Sequence, residues 1–231
     1  YITELMRLNK SFIVKRSAKA PKEMLKALTQ LSAYIYDSLS SGHSIWIAQK
    51  EGRAKDGVDQ TDPALLKMLQ LNGRKQKKEF GEYIKELKVV PVAISYQYEP
   101  CAIAKAKELY HKQHHGKYVK SAGEDIASIV EGFSSAKGHV HLSFGQPIQS
   151  DCDSADELAK TIDKQIIDSF YLHPGNYIAG GCTEAVINKN DAAQFAERLA
   201  KVPEELRPLV LAMYAKPYHR KTQVDEQSCE H

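Results

Sequence analysis

The chain has 231 residues, of which 42% are hydrophobic and 26% charged, with a formal net charge of +3. That length can bury a full core in one large domain or two small ones, and the composition excludes a disordered or fibrous chain. The longest apolar runs, such as Val89–Ile94, fall far short of the ~20 residues of a membrane-crossing helix.

The charge is unevenly placed. Residues 1–78 hold 15 Lys/Arg against 7 Asp/Glu, a balance of +8, whereas residues 79–231 hold 17 against 22, a balance of −5. A basic first third points to an anionic partner, such as phosphate groups or an anionic membrane surface. Nucleic acid is not expected, because the basic segments lack interleaved aromatic stacking residues. The four cysteines, Cys101, Cys152, Cys182 and Cys229, form no CxxC pair, which suits a reducing, cytoplasmic compartment. The chain opens at Tyr1 with no signal-like segment, and it reads as a piece whose true beginning lies upstream.

In chain order, Ser11–Ser17 (SFIVKRS) is a short β-rich run ending in Lys15-Arg16. From Pro21 to about Leu39, Met24, Leu28, Leu31, Ile35 and Leu39 recur every three or four residues, which predicts an amphipathic helix with proline in its first turn. His43–Gln49 (HSIWIAQ) reads as a strand that breaks into the loop Glu51–Gly57 (EGRAKDG). Thr61 and Asp62 offer an N-cap before Pro63 and the helix PALLKMLQL. Lys78–Leu87 is helical, Lys88–Tyr98 strongly β-prone, and Pro100–His114 and Glu124–Phe133 helical. Lys137–Gly145 (KGHVHLSFG) is a strand. Asp153–Tyr171 is a long helix with Leu158, Ile162, Ile166, Ile167 and Phe170 on one face. Two more helices, near Asp191–Lys201 and Pro203–Ala215, precede a polar tail expected to be mobile.

Strands alternating with helices predict an α/β fold: a mixed, mostly parallel sheet flanked by helices, with a helical C-terminal part. Residues 1–185 form the main domain and 186–231 a helical extension and tail. Ligands of such sheets bind in loops beyond the carboxyl ends of strands. Lys15, Arg16, Arg53 and Lys55 all follow predicted strands, so two cationic loops could clamp a phosphate. Gly52 would admit the anion close to backbone N–H groups, and Glu51 could orient an arginine or accept a bond from a substrate hydroxyl. Arg74–Phe80 (RKQKKEF) is a second basic cluster, suited to anionic headgroups or simply to solvent.

His111, His114 and His115 have i, i+3, i+4 spacing, and His139 and His141 share one face of a strand. No carboxylate stands at a ligand spacing beside them, so no metal is expected. There is no GxSxG elbow, GxGxxG or GxxxxGK[ST], which leaves serine hydrolysis, dinucleotide binding and P-loop chemistry unsupported.

Three segments then stand in a familiar order. Asn9–Ser17 (NKSFIVKRS), Glu51–Gly57 and Val90–Pro100 (VPVAISYQYEP) resemble three of the four sequence blocks of the glycerolipid acyltransferases, the bacterial 1-acylglycerol-3-phosphate members most of all. The likeness runs from about Met6 to Asn176, through GHVHLSFGQPI. It implies an acyltransferase-like fold and transfer of an acyl chain from coenzyme A or acyl carrier protein to a glycerol phosphate lipid, without metal or organic cofactor. It implies peripheral attachment at the cytoplasmic face of the bacterial inner membrane. By the same resemblance Lys15 or Arg16, with Arg53 or Lys55, contacts the acceptor phosphate, Glu51 and Gly52 shape that site, and Phe12 and Pro91 line the acyl or acceptor pocket. The family's base, a His-x-x-x-x-Asp block, is absent, since no histidine has an aspartate five places on; no catalytic residue is therefore expected in this chain, and by itself it is expected to be inactive. The alternatives are acylation of glycerol 3-phosphate, and a non-catalytic module that binds anionic lipid or phosphate.

Overall fold

The computed structural model describes residues 20–52, 54–149, 152–182 and 187–229, with side chains in the last helix as far as residue 223. In order the elements are α1 (Pro21–Ser40), α2 (Pro63–Leu69), α3 (Leu71–Lys75), α4 (Phe80–Leu87), β1 (Val92–Tyr96), α5 (Ala102–His115), α6 (Glu124–Ser134), β2 (Val140–Phe144), α7 (Ala155–Ser169), α8 (Pro174–Ala179), α9 (Lys189–Ala200), a 3-10 turn (Glu204–Leu206) and α10 (Arg207–Cys229).

The helices follow their local signals. Pro21 opens α1, and the Asp62 carboxylate accepts the Ala64 N–H at 2.8 Å to cap α2 ahead of Pro63. The last helix, expected to end near Ala215, continues as helical backbone through Cys229.

The expected sheet is overturned. Among the described residues there are two strands, and they pair antiparallel: Val92 faces Phe144, Ile94 faces Leu142 and Tyr96 faces Val140. His43–Gln49 forms no strand; its backbone is irregular and Trp46 is 63% exposed. A β-rich run becomes a strand only when a partner satisfies its ladder, and no described strand pairs with it. The run Ser11–Ser17 lies outside the described residues. No helix among the described residues is long and apolar enough to cross a membrane.

The described chain divides into two compact units. The first takes the chain up to Gln49, then Asp62–Val89 and Gln149–Ala159. Its core centres on Tyr83, Leu66 and Ile84, all fully buried. The Ser32 hydroxyl donates to the Leu69 carbonyl at 2.6 Å and accepts the Asn72 N–H at 3.0 Å, so a buried polar group is fully used where α1 meets α2 and α3. Gly73 leaves room for the Tyr83 ring, which a Cβ there would strike.

The second unit takes Lys50–Thr61, Val90–Ile148 and the chain from Lys160. Its core joins Ala106 of α5, Phe195 of α9 and Val202, Leu206, Val210 and Tyr214 toward the C-terminus. Phe195 and Tyr214 meet edge to face, 5.1 Å between centroids. The Asn176 side chain at the start of α8 donates to the Tyr214 carbonyl at 2.9 Å, tying α8 to α10. The ribbon in this unit has small residues inside, Ala93 and Ser95, and large apolar ones outside: Ile94, Val140, Leu142 and Phe144 are 37–65% exposed.

Candidate functional site

The glycine-bearing loop Lys50–Thr61 is built into the second unit rather than left in solvent. Lys55 forms an ion pair with Glu108 of α5, whose carboxylate also meets Lys112 at 2.9 Å. Two contacts join the loop to α10: Arg220 donates to the Asp59 carbonyl at 2.7 Å, and Lys216 lies 3.2 Å from the Asp56 carboxylate. The Asp56 carboxylate also accepts the Val58 N–H at 3.1 Å, a tight turn closed by its own side chain. At the far end, Asp163 of α7 accepts from both the Thr61 N–H and hydroxyl, at 2.8 and 2.7 Å.

The two glycines of the loop differ in purpose. Both have left-handed backbone, φ +82 at Gly52 and +80 at Gly57, which strains any other L-residue. A Cβ on Gly57 would strike the Met213 carbonyl, so that glycine permits close packing on α10. Gly52 has open space above it, so its backbone is accessible to a ligand.

The electrostatics support an ordered platform. Burial alone would raise the Glu108 carboxyl, but hydrogen bonds and charge from Lys55 and Lys112 more than reverse this and hold it below the ordinary value. Asp56 behaves likewise: burial pushes up, while the Val58 N–H and Lys216 pull it further down.

Each expected site residue can now be placed. Glu51 and Gly52 are exposed near the start of the loop. Lys55 is half-buried and committed to Glu108, so its charge anchors the loop. Pro91 is buried at the entry to β1, where its carbonyl accepts the Gly145 N–H at 2.8 Å. Phe12, Lys15, Arg16 and Arg53 lie outside the described residues.

Sequence reasoning missed Glu108, Asp56, Lys216 and Asp163 as the loop's holders. No signal could have found them: Lys55 and Glu108 are 53 residues apart, and Asp56 and Lys216 are 160 apart.

It also missed a cluster that gathers His139, just ahead of β2, and His141 of β2 with Tyr171 and His173. His139 lies 5.3 Å from His173 and 5.4 Å from Tyr171 between ring centroids, and Tyr171 stacks on His141 at 4.8 Å. His173 is 1% exposed, and its Nε2 has no hydrogen-bond partner; the Ser95 hydroxyl is also buried without one. Burial pushes the His173 pKa down; the Ser95 main chain opposes this and the neighbouring His139 and His141 add to it. His141 Nε2 is already engaged, 2.9 Å from the Ser143 hydroxyl. Among the described residues no grouping of His, Cys, Asp and Glu has the geometry to hold a metal ion.

A separate groove of about 560 Å³ in the second unit is lined by Tyr98, Glu99, Ile103, Phe195, Arg198 and Tyr214, among others. The Arg198 guanidinium sits 3.5 Å above the Tyr98 ring. The buried Tyr214 hydroxyl accepts the Glu99 N–H at 2.7 Å, and burial pushes its pKa up to about 12.

No family model, curated protein or solved structure matches the chain.

Proposed function

We propose that this chain is the acceptor-binding portion of a glycerolipid O-acyltransferase, holding the phosphate of a lysophosphatidic acid-type acceptor in the loop Glu51–Gly57 while an acyl chain arrives from acyl coenzyme A or acyl carrier protein. The observation that carries this reading is the loop itself. It occupies the place of a family block in the right order between Asn9–Ser17 and Val90–Pro100, and it is pinned from below through Lys55 and Asp56 while Gly52 stays open above.

In this reading the phosphate role falls to Arg53, with Lys15 or Arg16, because the charge of Lys55 is already matched by Glu108. An arginine offers paired donors to phosphate oxygens, and the Gly52 backbone lets them come close. Glu51 accepts from an acceptor hydroxyl or orients the arginine. The contacts that anchor the loop through Lys55 and Asp56 limit what must be ordered when the ligand binds. The 231 residues contain no His-x-x-x-x-Asp pair, so this chain binds and positions the acceptor and does not supply the base. The setting is peripheral, at the cytoplasmic face of a bacterial inner membrane, where acceptor and product reside.

Calorimetric titration with short-chain lysophosphatidic acid tests the assignment. Arg53→Ala should weaken binding by roughly tenfold or more, as the loss of a charged hydrogen-bonding partner does. Glycerol 3-phosphate binding as tightly as the lipid would move the reading to that acceptor. Unchanged affinity in both Arg53→Ala and Lys15→Ala would sink the site.

A further inference from the structure

Helix α6 is turned inside out. Ile126, Ile129, Val130 and Phe133 fall at i, i+3, i+4 and i+7, the spacing of a core-facing stripe, yet they are 55%, 41%, 56% and 83% exposed. The helix buries Ser128 instead, at 8%. At 3.6 residues per turn, Glu124 and Glu131 fall on the side away from the stripe, and both are half-buried there. The outward sector is therefore apolar and free of those two acids. A single exposed apolar residue needs no explanation, but four in one contiguous row do.

Cations bracket the row. Lys120 sits at the N-terminal end, paired with Asp125 at 2.5 Å, and Lys137 sits at the C-terminal end, donating to the Phe133 and Ser135 carbonyls. Val119, 79% exposed, adds an apolar side chain ahead of the helix, between Lys117 and Lys120 in sequence. Upstream, the last turn of α5 adds Lys112 with exposed His114 and His115.

We propose that the outward face of α6, with Val119, seats the protein on an anionic lipid bilayer, the helix lying in the interface plane with Phe133 and its row among the acyl chains and Lys117, Lys120 and Lys137 at headgroup level. An apolar row with positive charge at both ends, on one face of a helix, is the pattern of an interfacial helix. Each lysine near the surface adds attraction to anionic headgroups that salt weakens. The proposal rests on the acceptor reading only for its purpose: a lipid acceptor must be taken from the bilayer.

The test is sedimentation of the full chain with vesicles of phosphatidylglycerol and phosphatidylcholine in equal parts, and with vesicles of phosphatidylcholine alone. The double variant Ile129→Ser, Phe133→Ser should lose roughly tenfold or more in partitioning, with an unchanged circular dichroism spectrum because both side chains face outward. Phe133→Leu should partition like the parent chain, which a general loss of structure would not allow. Lys120→Ala with Lys137→Ala should lose affinity for the anionic vesicles only, and added salt should reproduce that loss. Two results overturn the proposal: a serine variant that partitions like the parent, or a parent chain that ignores vesicles but self-associates in the ultracentrifuge until Phe133 is replaced, which would make the face a seat for a second copy. Titration with short-chain lysophosphatidic acid in the absence of vesicles separates the two readings. The serine variant should bind it normally, and loss of that binding in Arg53→Ala should leave vesicle partitioning intact.

Discussion

Helices α4 and α6 carry the same apolar spacing and meet opposite fates. In α4, Phe80, Tyr83, Ile84 and Leu87 occupy i, i+3, i+4 and i+7 and are at most 7% exposed. In α6, Ile126, Ile129, Val130 and Phe133 occupy the same four positions and none is less than 41% exposed. The intrinsic drive to bury is similar for the two rows, because it scales with apolar area and both hold large side chains. What differs is the surroundings. Around α4 stand a glycine that admits the Tyr83 ring, the Tyr36 ring stacked 5.7 Å away, and an Asn72 side chain donating to the Tyr83 hydroxyl at 3.3 Å. On α6 the inward side instead holds Ser128, whose carbonyl lies 3.6 Å from the Cys101 thiol. An amphipathic stripe therefore states a need for a cover and does not say what the cover is.

The sharpest way to break that contrast is to truncate both rows. Ile84→Ala should cost about 2–5 kcal/mol in denaturant unfolding, the range for buried large-to-small changes. Ile129→Ala should stay within about 0.5 kcal/mol, as exposed positions do. Equal losses would mean that the α6 row is covered in solution.

A second contrast concerns polar anchors. Glu108→Gln removes the charge that balances Lys55 and Lys112, and it should destabilise the second unit by about 1–3 kcal/mol, consistent with a largely buried group losing its charged partners. Because the Glu108 pKa is held below its ordinary 4.5, its stabilisation is complete above that value and is lost as pH falls through the lower folded value. A melting temperature with the same acid dependence in the parent and in Glu108→Gln would refute this role.

His173 contributes a separate acid sensitivity. Its folded pKa lies below 6.5, so the neutral ring is the stable one; stability is complete above 6.5 and declines as pH falls from there toward the lower folded value. Thermal melts should show this first decline in the parent and not in His173→Gln. Tyr214→Phe should cost about 1 kcal/mol, since it strands the Glu99 N–H but keeps the ring against Phe195.

The sequence by itself determined where the helices start and where the chain turns. Pro21 in a first turn, Asp62 as a cap before Pro63, and the loop glycines act within about one turn of chain, so their consequences could be read one segment at a time. It also located the two runs that do pair, Val92–Tyr96 and Val140–Phe144. Of the proposed site, the loop and its exposed glycine were legible, as were its charges. Only the tertiary structure decided that those strands run antiparallel, that His43–Gln49 pairs with neither, and that the apolar side of α6 faces out. It alone assigned Lys55 to Glu108. The reason is physical: a helix end is settled by neighbours in sequence, whereas strand direction, burial and charge pairing are settled by groups that meet only after dozens of intervening residues have folded.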